Sequence, residues 1–270
     1  DEFSLSKSIK ITIGTKVLHN VYTGVEIQPS GRIALNVDNK NTLWASVSRA
    51  VRTPSRVDVD YFSPSAPQPP TTPSVAGGSN FISEKVLAYE LGYRVQPNGK
   101  STFSLSTFYN VYRDIYSLEP LRGTQTYVIL NGTEGKSWGA EFSGTYQLHK
   151  NWRLRGGYTW FDKKLTVKPG HVFDPSYLSN DAQNQFLLQS MCELPLHIHL
   201  DVIGRYLDYL PATVVTAKVP AYSTFDIRIA YTIKIIEVSI VGQNLSTRKH
   251  VEFNALSIPR SFYAKMTVRL

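Results

Sequence analysis

Arginine side chains recur in segments where polar and apolar residues alternate. In residues 151–163, for example, Arg153 and Arg155 alternate with Trp152 and Leu154. Rings of arginine and lysine select anions, so such residues could form an anion-favouring path. A solvated or mutually paired wall, partly in contact with another part of the protein, would use the same side chains, so both roles stay open. The arginines that we predict as ligand contacts are Arg52, Arg94, Arg155, Arg205 and Arg228.

Aromatic residues form a second set of candidates, and they lie in the longer connections between the alternating segments. Binding residues are often placed on such connections, and an exposed ring can hold a hydrophobic or planar ligand. Packing of the connections against one another would use the same side chains, so the sequence leaves both roles open. The candidates are Tyr61, Phe62, Phe81, Tyr127, Phe173, Tyr177 and Phe253.

Histidine offers little chemistry here. His197, His199 and Asp201 share one strand face, but they adjoin a predicted tight turn and no fourth ligand is evident. We therefore predict no metal site and no cofactor. A hydrolase needs a nucleophile with a matched base, and the sequence has no G-x-S-x-G motif. We expect no enzyme and no catalytic residue.

The elements that carry these residues are strands, because period-two alternation dominates the chain and helical periodicity is almost absent. The pattern predicts about twelve strands, bounded to within about two to four residues. They are 2–15, 26–37, 41–52, 84–95, 101–115, 134–148, 151–163, 183–195, 197–209, 221–232, 234–245 and 259–270.

The connections between these strands alternate in length. Tight turns such as 96–100 ("QPNGK") follow every second strand, and long connections follow the others. The long ones are 16–25, 53–83, 116–133, 164–182, 210–220 and 246–258. An antiparallel up-and-down meander with tight turns at one end and long loops at the other is the layout of an outer-membrane β-barrel.

Composition limits the alternatives. Hydrophobic residues make up 42% of the 270 residues and charged residues 19%, so the chain can form an ordered structure. The formal charge of +8 is spread along the chain without a recognition motif, so we expect no nucleic-acid partner. The single Cys192 excludes an intrachain disulfide. No stretch approaches the roughly 20 apolar residues of a transmembrane helix.

The two strand faces indicate a membrane setting. Strand 151–163 has Trp152 and Trp160 near its ends, with Leu154 between them on the same face. Aromatic residues at both ends of an apolar face are typical of the girdles at the two membrane interfaces. A soluble sandwich would also alternate, but it would not separate its loops by length. We therefore predict an all-β transmembrane barrel with a polar lumen.

Several stretches resemble TonB-dependent outer-membrane receptors. They are "NTLWASVSRAVRTPSR" (41–56), "LAYELGYRV" (87–95), "STFSLSTFYNVYRDIYSLEP" (101–120), "GKSWGAEFSGTYQLHKNWRLRGGYTWFD" (135–162) and "STFDIRIAYTIKIIEVSIVGQNLSTRKHVEF" (223–253). Each pattern is weak alone, but their order and spacing together are specific, and the resemblance covers essentially the whole chain. It implies that residues 1–270 are the C-terminal portion of a 22-stranded receptor barrel.

The resemblance also implies a function. Such receptors import siderophores, cobalamin, haem or glycans through a barrel closed by a plug domain that contacts TonB, and this chain has no segment that could be the plug. Its expected partners are outer-membrane lipid, the missing strands and plug, an unidentified solute, and TonB only through that plug. The expected location is the outer membrane of a Gram-negative bacterium. Two alternatives stay open: a self-contained twelve-stranded passive channel, and an inactive barrel fragment.

Overall fold

The computed structural model describes residues 1–64, 66–67, 73–213, 215–254 and 256–269, and it is almost entirely β-structure. The strands are β1 Glu2–Ser4, β2 Ile9–Asn20, β3 Gly24–Asn36, β4 Asn41–Arg52, β5 Phe62–Ser63, β6 Val75–Ala76, β7 Glu84–Asn98, β8 Ser101–Pro120, β9 Tyr127–His149, β10 Trp152–Val167, β11 Asn184–Leu194, β12 Ile198–Leu207, β13 Tyr222–Ile233, β14 Ile236–Gln243, β15 Lys249–Phe253, β16 Leu256–Pro259 and β17 Ser261–Val268. One short helix, α1 Arg56–Val59, and two 3₁₀ turns, Pro175–Leu178 and Pro195–His197, interrupt them.

The long strands form a meander in which each pairs with its neighbours in the chain. The order is β1-β2-β3-β4-β7-β8-β9-β10-β11-β12-β13-β14-β17, and all of these pairs are antiparallel. The short β6 joins the sheet by parallel pairing with β9 and by pairing with β5. β15 and β16 form a separate hairpin. The fold is therefore the predicted all-β, up-and-down arrangement.

The register gives the sheet one polar and one apolar face. Between β4 and β7, Ser46 lies opposite Glu90 on one face, whereas Leu43 lies opposite Tyr93 on the other. The same division continues around the sheet, where Asp201 lies opposite Arg228 on the polar face. The polar face bears the recesses of the molecule and corresponds to a lumen.

The apolar face is exposed to its surroundings. Ile13, Ile27, Leu91, Ile240 and Met266 are each more than half exposed. A continuous apolar surface of this extent is unfavourable in water, where each square ångström costs about 25 cal/mol. Strands that face lipid have no such cost, so the exposed belt agrees with a membrane-spanning wall.

A small apolar core lies at the end of the sheet where the long connections gather. Ala182, Leu210 and Val219 are buried there, and Leu207 and Tyr222 pack against them. This core ties two long connections to the ends of β12 and β13. It is the loops, rather than the wall, that contain the buried apolar residues of this group.

Most predicted strands are confirmed within a few residues, but the first one is wrong. A turn at Ser6–Ser8 breaks 2–15 into β1 and β2, because the Ser6 hydroxyl accepts hydrogen bonds from the amides of Ser8 (3.1 Å) and Ile9 (3.0 Å). β2 then runs to Asn20, so the predicted long connection 16–25 is in fact strand, a tight turn and the start of β3.

The predicted connection 116–133 is also mostly strand. β8 has 20 residues and β9 has 23, about twice the 9–11 needed to cross a membrane. Register shifts between Tyr112 and Ser117 interrupt the alternation there. Beyond the membrane a strand needs no apolar face, which is why the extension carried no recognisable pattern.

The remaining long connections carry structure of their own. The described parts of 53–83 contain α1, β5 and β6, and the described parts of 246–258 contain the hairpin β15–β16. Connection 164–182 begins after β10 ends at Val167, and its 3₁₀ turn Pro175–Leu178 folds back toward the wall. The tight turns at the opposite end of the sheet agree with their predicted positions.

The sheet is open. Within the residues that the structure describes, β17 pairs with β14 alone and β1 pairs with β2 alone. The arrangement does not support a self-contained closed barrel. The end of the last predicted strand at Leu270 lies outside the described residues.

In the described part of the chain, no helix has the length and apolar character needed to cross a membrane.

Candidate functional site

A cavity of about 560 Å³ lies on the polar face, near the end of the sheet that bears the long connections. Its wall combines cations, carboxylates and rings from β4, β7, β8, β9, β10 and residues 168–183, which join β10 to β11 and are called connection 168–183 below. The residues that line it are Ala50, Val51, Arg52, Glu84, Lys85, Val86, Tyr112, Ile115, Ser137, Phe161, Lys163, Leu165, Leu178 and Asp181. A mixed wall of this kind can hold a solute that has both planar and charged parts.

Arg52, at the end of β4, fixes one side of the cavity. Its guanidinium donates to both carboxylate oxygens of Asp58 on α1, at 2.9 and 3.2 Å, and to Glu84 on β7. Asp58 is buried, and it also accepts from the amide and the hydroxyl of Ser55, each at 2.8 Å. The guanidinium also lies 5.5 Å from the centre of the buried Phe81 ring. These contacts hold connection 53–83 against the wall.

The contacts of Asp58 with Arg52 and Ser55, called the Asp58 latch below, should depend on pH. Burial raises the pKa of the Asp58 carboxyl, but the hydrogen bonds from Arg52 and Ser55 outweigh burial and hold the pKa below its usual value. Because the pKa is lowered on folding, these contacts contribute their full stabilising free energy above about pH 4, the ordinary pKa of an aspartate. That free energy is lost as pH falls through the lowered pKa.

Carboxyl NMR of the protein in detergent micelles measures the pKa of the Asp58 carboxyl directly. We expect Asp58 to titrate below the usual range, and Arg52→Gln to raise its pKa because burial then dominates. Asp60→Asn is the control, since Asp60 instead accepts from the Tyr22 hydroxyl. A titration of Asp58 unaffected by Arg52→Gln would contradict the latch.

Connection 168–183 forms the opposite side of the cavity. Lys163 on β10 donates to the Leu178 carbonyl and pairs with Asp181, which places both residues over the cavity. Phe173 is 5% exposed, stacks on Tyr177 at 5.3 Å and meets Tyr116 edge-on at 6.1 Å. The connection is therefore pinned to the wall through both charged and aromatic contacts.

Two carboxylates anchor the start of the same connection. Asp114 accepts from Lys168 at 2.6 Å and from Lys85 at 2.8 Å. The buried Glu119 accepts from the Val172 amide at 2.8 Å and contacts the His171 ring at 3.2 Å. These contacts attach connection 168–183 to the projecting part of β8.

The structure separates the predicted arginines. Arg52 lines the cavity, whereas Arg205 pairs with Asp226, and Arg228 pairs with Asp201 and Glu237 elsewhere on the polar face. Arg94 and Arg155 lie on the same face, and Arg155 borders a different recess.

The predicted aromatic residues are also divided. Phe81 and Phe173 are buried among the connections. Exposed rings are Tyr61, Phe62, Tyr127, Tyr177 and Phe253, with exposed fractions of 36% to 58%. The described lining of the cavity includes none of the predicted rings. Sequence reasoning missed the rings that do line it, Tyr112 and Phe161, because it looked for binding aromatics in the loops.

His199 and Asp201 border a recess near the tight turns, and His197 lies in the 3₁₀ turn Pro195–His197. Among the described residues, no group of three or more His, Cys, Asp or Glu side chains is arranged to hold a metal ion.

An antiparallel meander with a polar inner face, an exposed apolar outer face and long connections at one end defines the wall of a transmembrane β-barrel. The β-barrel model of TonB-dependent receptors matches residues 1–245. The chain belongs to this family. A comparison with curated proteins finds no match.

Solved receptor barrels share the fold. A mutant of the ferric enterobactin receptor PfeA of Pseudomonas aeruginosa superposes with a TM-score of 0.78 at 16% identity, over 99% of this chain and 43% of that one. The siderophore receptor PirA of Acinetobacter baumannii gives 0.79 at 15% identity, over 99% and 44%. The iron transporter FrpB of Neisseria meningitidis gives 0.77 at 11%, over 99% and 44%. The chain thus spans less than half the length of each.

Proposed function

We propose that this chain is part of an outer-membrane receptor that takes up a scarce solute in a Gram-negative bacterium. The solute belongs to the siderophore, cobalamin, haem or glycan class, and the cavity between Arg52 and Lys163 contributes to its capture. The observation that carries the proposal is this mixed cavity at the loop end of a wall that belongs to the TonB-dependent receptor family.

The geometry suggests how capture would proceed. Lys163 and Asp181 pair with each other and both line the cavity, so a charged group of the solute would compete for either partner of this pair. The rings of Tyr112 and Phe161 offer apolar contact to the same solute. No step requires bond chemistry by the chain, so the proposal is a receptor and not an enzyme.

The partners in this proposal follow from the two faces and the edges. Lipid contacts the apolar face, and further strands pair with the free edges of the sheet. A plug outside residues 1–270 couples the receptor to TonB. Ferric siderophores are the first probes to use, since the similar structures include receptors named for siderophores.

Uptake of radiolabelled iron tests the proposal in cells that carry the complete protein and lack their own siderophore receptors. A panel of catecholate and hydroxamate chelates is offered with and without a protonophore. We expect saturable uptake of at least one chelate, abolished by the protonophore. Uptake that persists without an energised inner membrane would instead indicate a passive channel.

The Phe161→Ala variant tests the role of the cavity in that uptake. Removing a ring that lines the cavity should raise the half-saturating concentration by about tenfold, because one buried aromatic contact contributes about 1–3 kcal/mol. Tyr206→Ala is the control, since Tyr206 is an aromatic residue of the lipid face that lies outside this cavity. Equal effects of the two variants would disprove the role of the cavity.

A further inference from the structure

Two neighbouring arginines on the polar face have no carboxylate partner within the part of the chain that the structure describes. Arg153 and Arg155 lie two residues apart on β10, and among the described residues the only polar contact of their side chains is from Arg153 Nη2 to Met191 Sδ, at 3.8 Å. Other arginines of the same face are neutralised. Arg205, Arg228 and Arg269 each pair with a carboxylate of β12, β13 or β14.

The unpaired arginines border a recess of about 430 Å³ on the inner wall of β8–β11. The residues that line it are Thr102, Ser104, Ser143, Gly144, Thr145, Arg153, Arg155, Gln189 and Met191, and none of these is acidic. It shares no residue with the cavity lined by Arg52 and Lys163, which we call the loop-end cavity. The recess therefore offers cations and hydrogen-bond donors without an internal anion to satisfy them.

The register brings donors from neighbouring strands to the two guanidinium groups. Arg155 lies opposite Thr145 on β9, and Thr145 lies opposite Thr102 on β8. Ser143, two residues from Thr145, lies opposite Ser104, which in turn lies opposite Arg94 on β7. Arg94 also has no carboxylate partner among the described residues, and it extends the positive surface toward β7.

We propose that this recess binds an oxyanion: a phosphate, sulfonate or carboxylate group, either free or carried by a solute in the lumen. Side chains at positions i and i+2 of a strand lie on the same face about 6.6 Å apart at Cα, so two long arginines can converge on one anionic group. Forked guanidinium groups bind such anions through charge-assisted hydrogen bonds, and the serine and threonine hydroxyls supply further donors. The site depends on contacts of β8–β11 alone and does not rest on the uptake proposed above.

Calorimetric titration with inorganic pyrophosphate tests the site in the complete protein, purified in detergent micelles at low ionic strength. We expect saturable binding that weakens as salt is added, because salt screens the guanidinium charges. The double variant Arg153→Gln/Arg155→Gln should raise the dissociation constant at least about tenfold, since it removes both charge-assisted partners.

The control is Arg32→Gln/Lys265→Gln, which removes the same charge from β3 and β17 on the polar face, at residues that do not line the recess. This control should leave the dissociation constant within about twofold of the wild-type value if local contacts hold the anion, rather than the long-range field of the protein's charges. Circular dichroism of both variants must match the wild-type protein. If the two double variants weakened pyrophosphate binding equally, the proposal would be overturned. Absence of binding by the wild-type protein would also overturn it, as expected if a carboxylate of the same protein filled the recess.

Discussion

Replacing Phe173 with alanine should release connection 168–183 from the wall. The ring is almost fully buried and contacts both Tyr116 and Tyr177. Loss of a buried phenylalanine typically costs about 3–5 kcal/mol, and a connection near the surface can relax into part of the space. We therefore expect the free energy of local opening to fall by about 3 kcal/mol, which accelerates amide exchange roughly hundredfold.

Hydrogen exchange of the protein in micelles measures this opening at defined amides. The Val172 amide donates to Glu119, and the Ser179 amide donates to the Ser176 carbonyl, so both report on the docked connection. Amides in the middle of β10 should be unaffected, since the wall does not depend on the ring. Val172→Ala is the matched control, because Val172 is 70% exposed in the same connection. If both variants exchange alike, Phe173 does not hold the connection.

The sequence does not distinguish the aromatic residues of this connection that pack internally from those that stay exposed. Phe173 and Tyr177 were both predicted as ligand contacts, and the alternative was packing of one connection on another. The structure places Phe173 in such packing, while Tyr177 keeps an exposed face. No local pattern distinguishes the two residues, because their difference arises from Tyr116, which is far away in the sequence and close in space.

The wall itself was predictable because its physics is local. Each strand must alternate between lipid and lumen, so parity alone assigns the face of Leu91 or Arg228, and the pairing of neighbouring strands follows from the meander. The prediction was wrong where that constraint ends. Beyond Tyr112 the strands leave the membrane and the register shifts, and Asp114 has a positive φ of 59°. The alternation of polar and apolar residues therefore does not continue through this break.

The loop-end cavity was not predictable for a different reason. Its charged pair joins Lys163, on β10, to Asp181, in the connection that follows. On the sequence these residues look like ordinary solvated charges. Arg52 was predicted as a ligand contact and lines the cavity, but its pairing with Asp58 requires α1, which has four residues and no periodicity to reveal it.

The second large effect is expected from Gly78→Ala. Gly78 lies where connection 53–83 crosses β9, and a Cβ atom there would overlap the Ile129 carbonyl oxygen. That neighbour is backbone within a paired strand and cannot rotate away, unlike the end of a flexible side chain. Relief would require the segment around Gly78 to move off β9, at a cost of about 3 kcal/mol.

This displacement should be visible in two contacts on either side of the glycine. The Gly78 amide donates to the Asp58 carbonyl at 2.9 Å, and the Phe81 amide donates to the Gly78 carbonyl at 2.9 Å. In the variant, we expect the amide at position 78 and the Phe81 amide both to exchange roughly a hundredfold faster, and the Phe81 ring to leave Arg52.

Gly99→Ala is the control for the glycine prediction. Gly99 lies in a tight turn at the opposite end of the sheet. Apart from Gly99 itself and its two chain neighbours, no described residue has a heavy atom within 4 Å of the place that an added methyl group would take. Its exchange pattern should match that of the wild-type protein. If Gly78→Ala also left the Phe81 amide protected, the segment would have to accommodate a methyl group without leaving β9, and the close approach to Ile129 would not be what holds connection 53–83 in place.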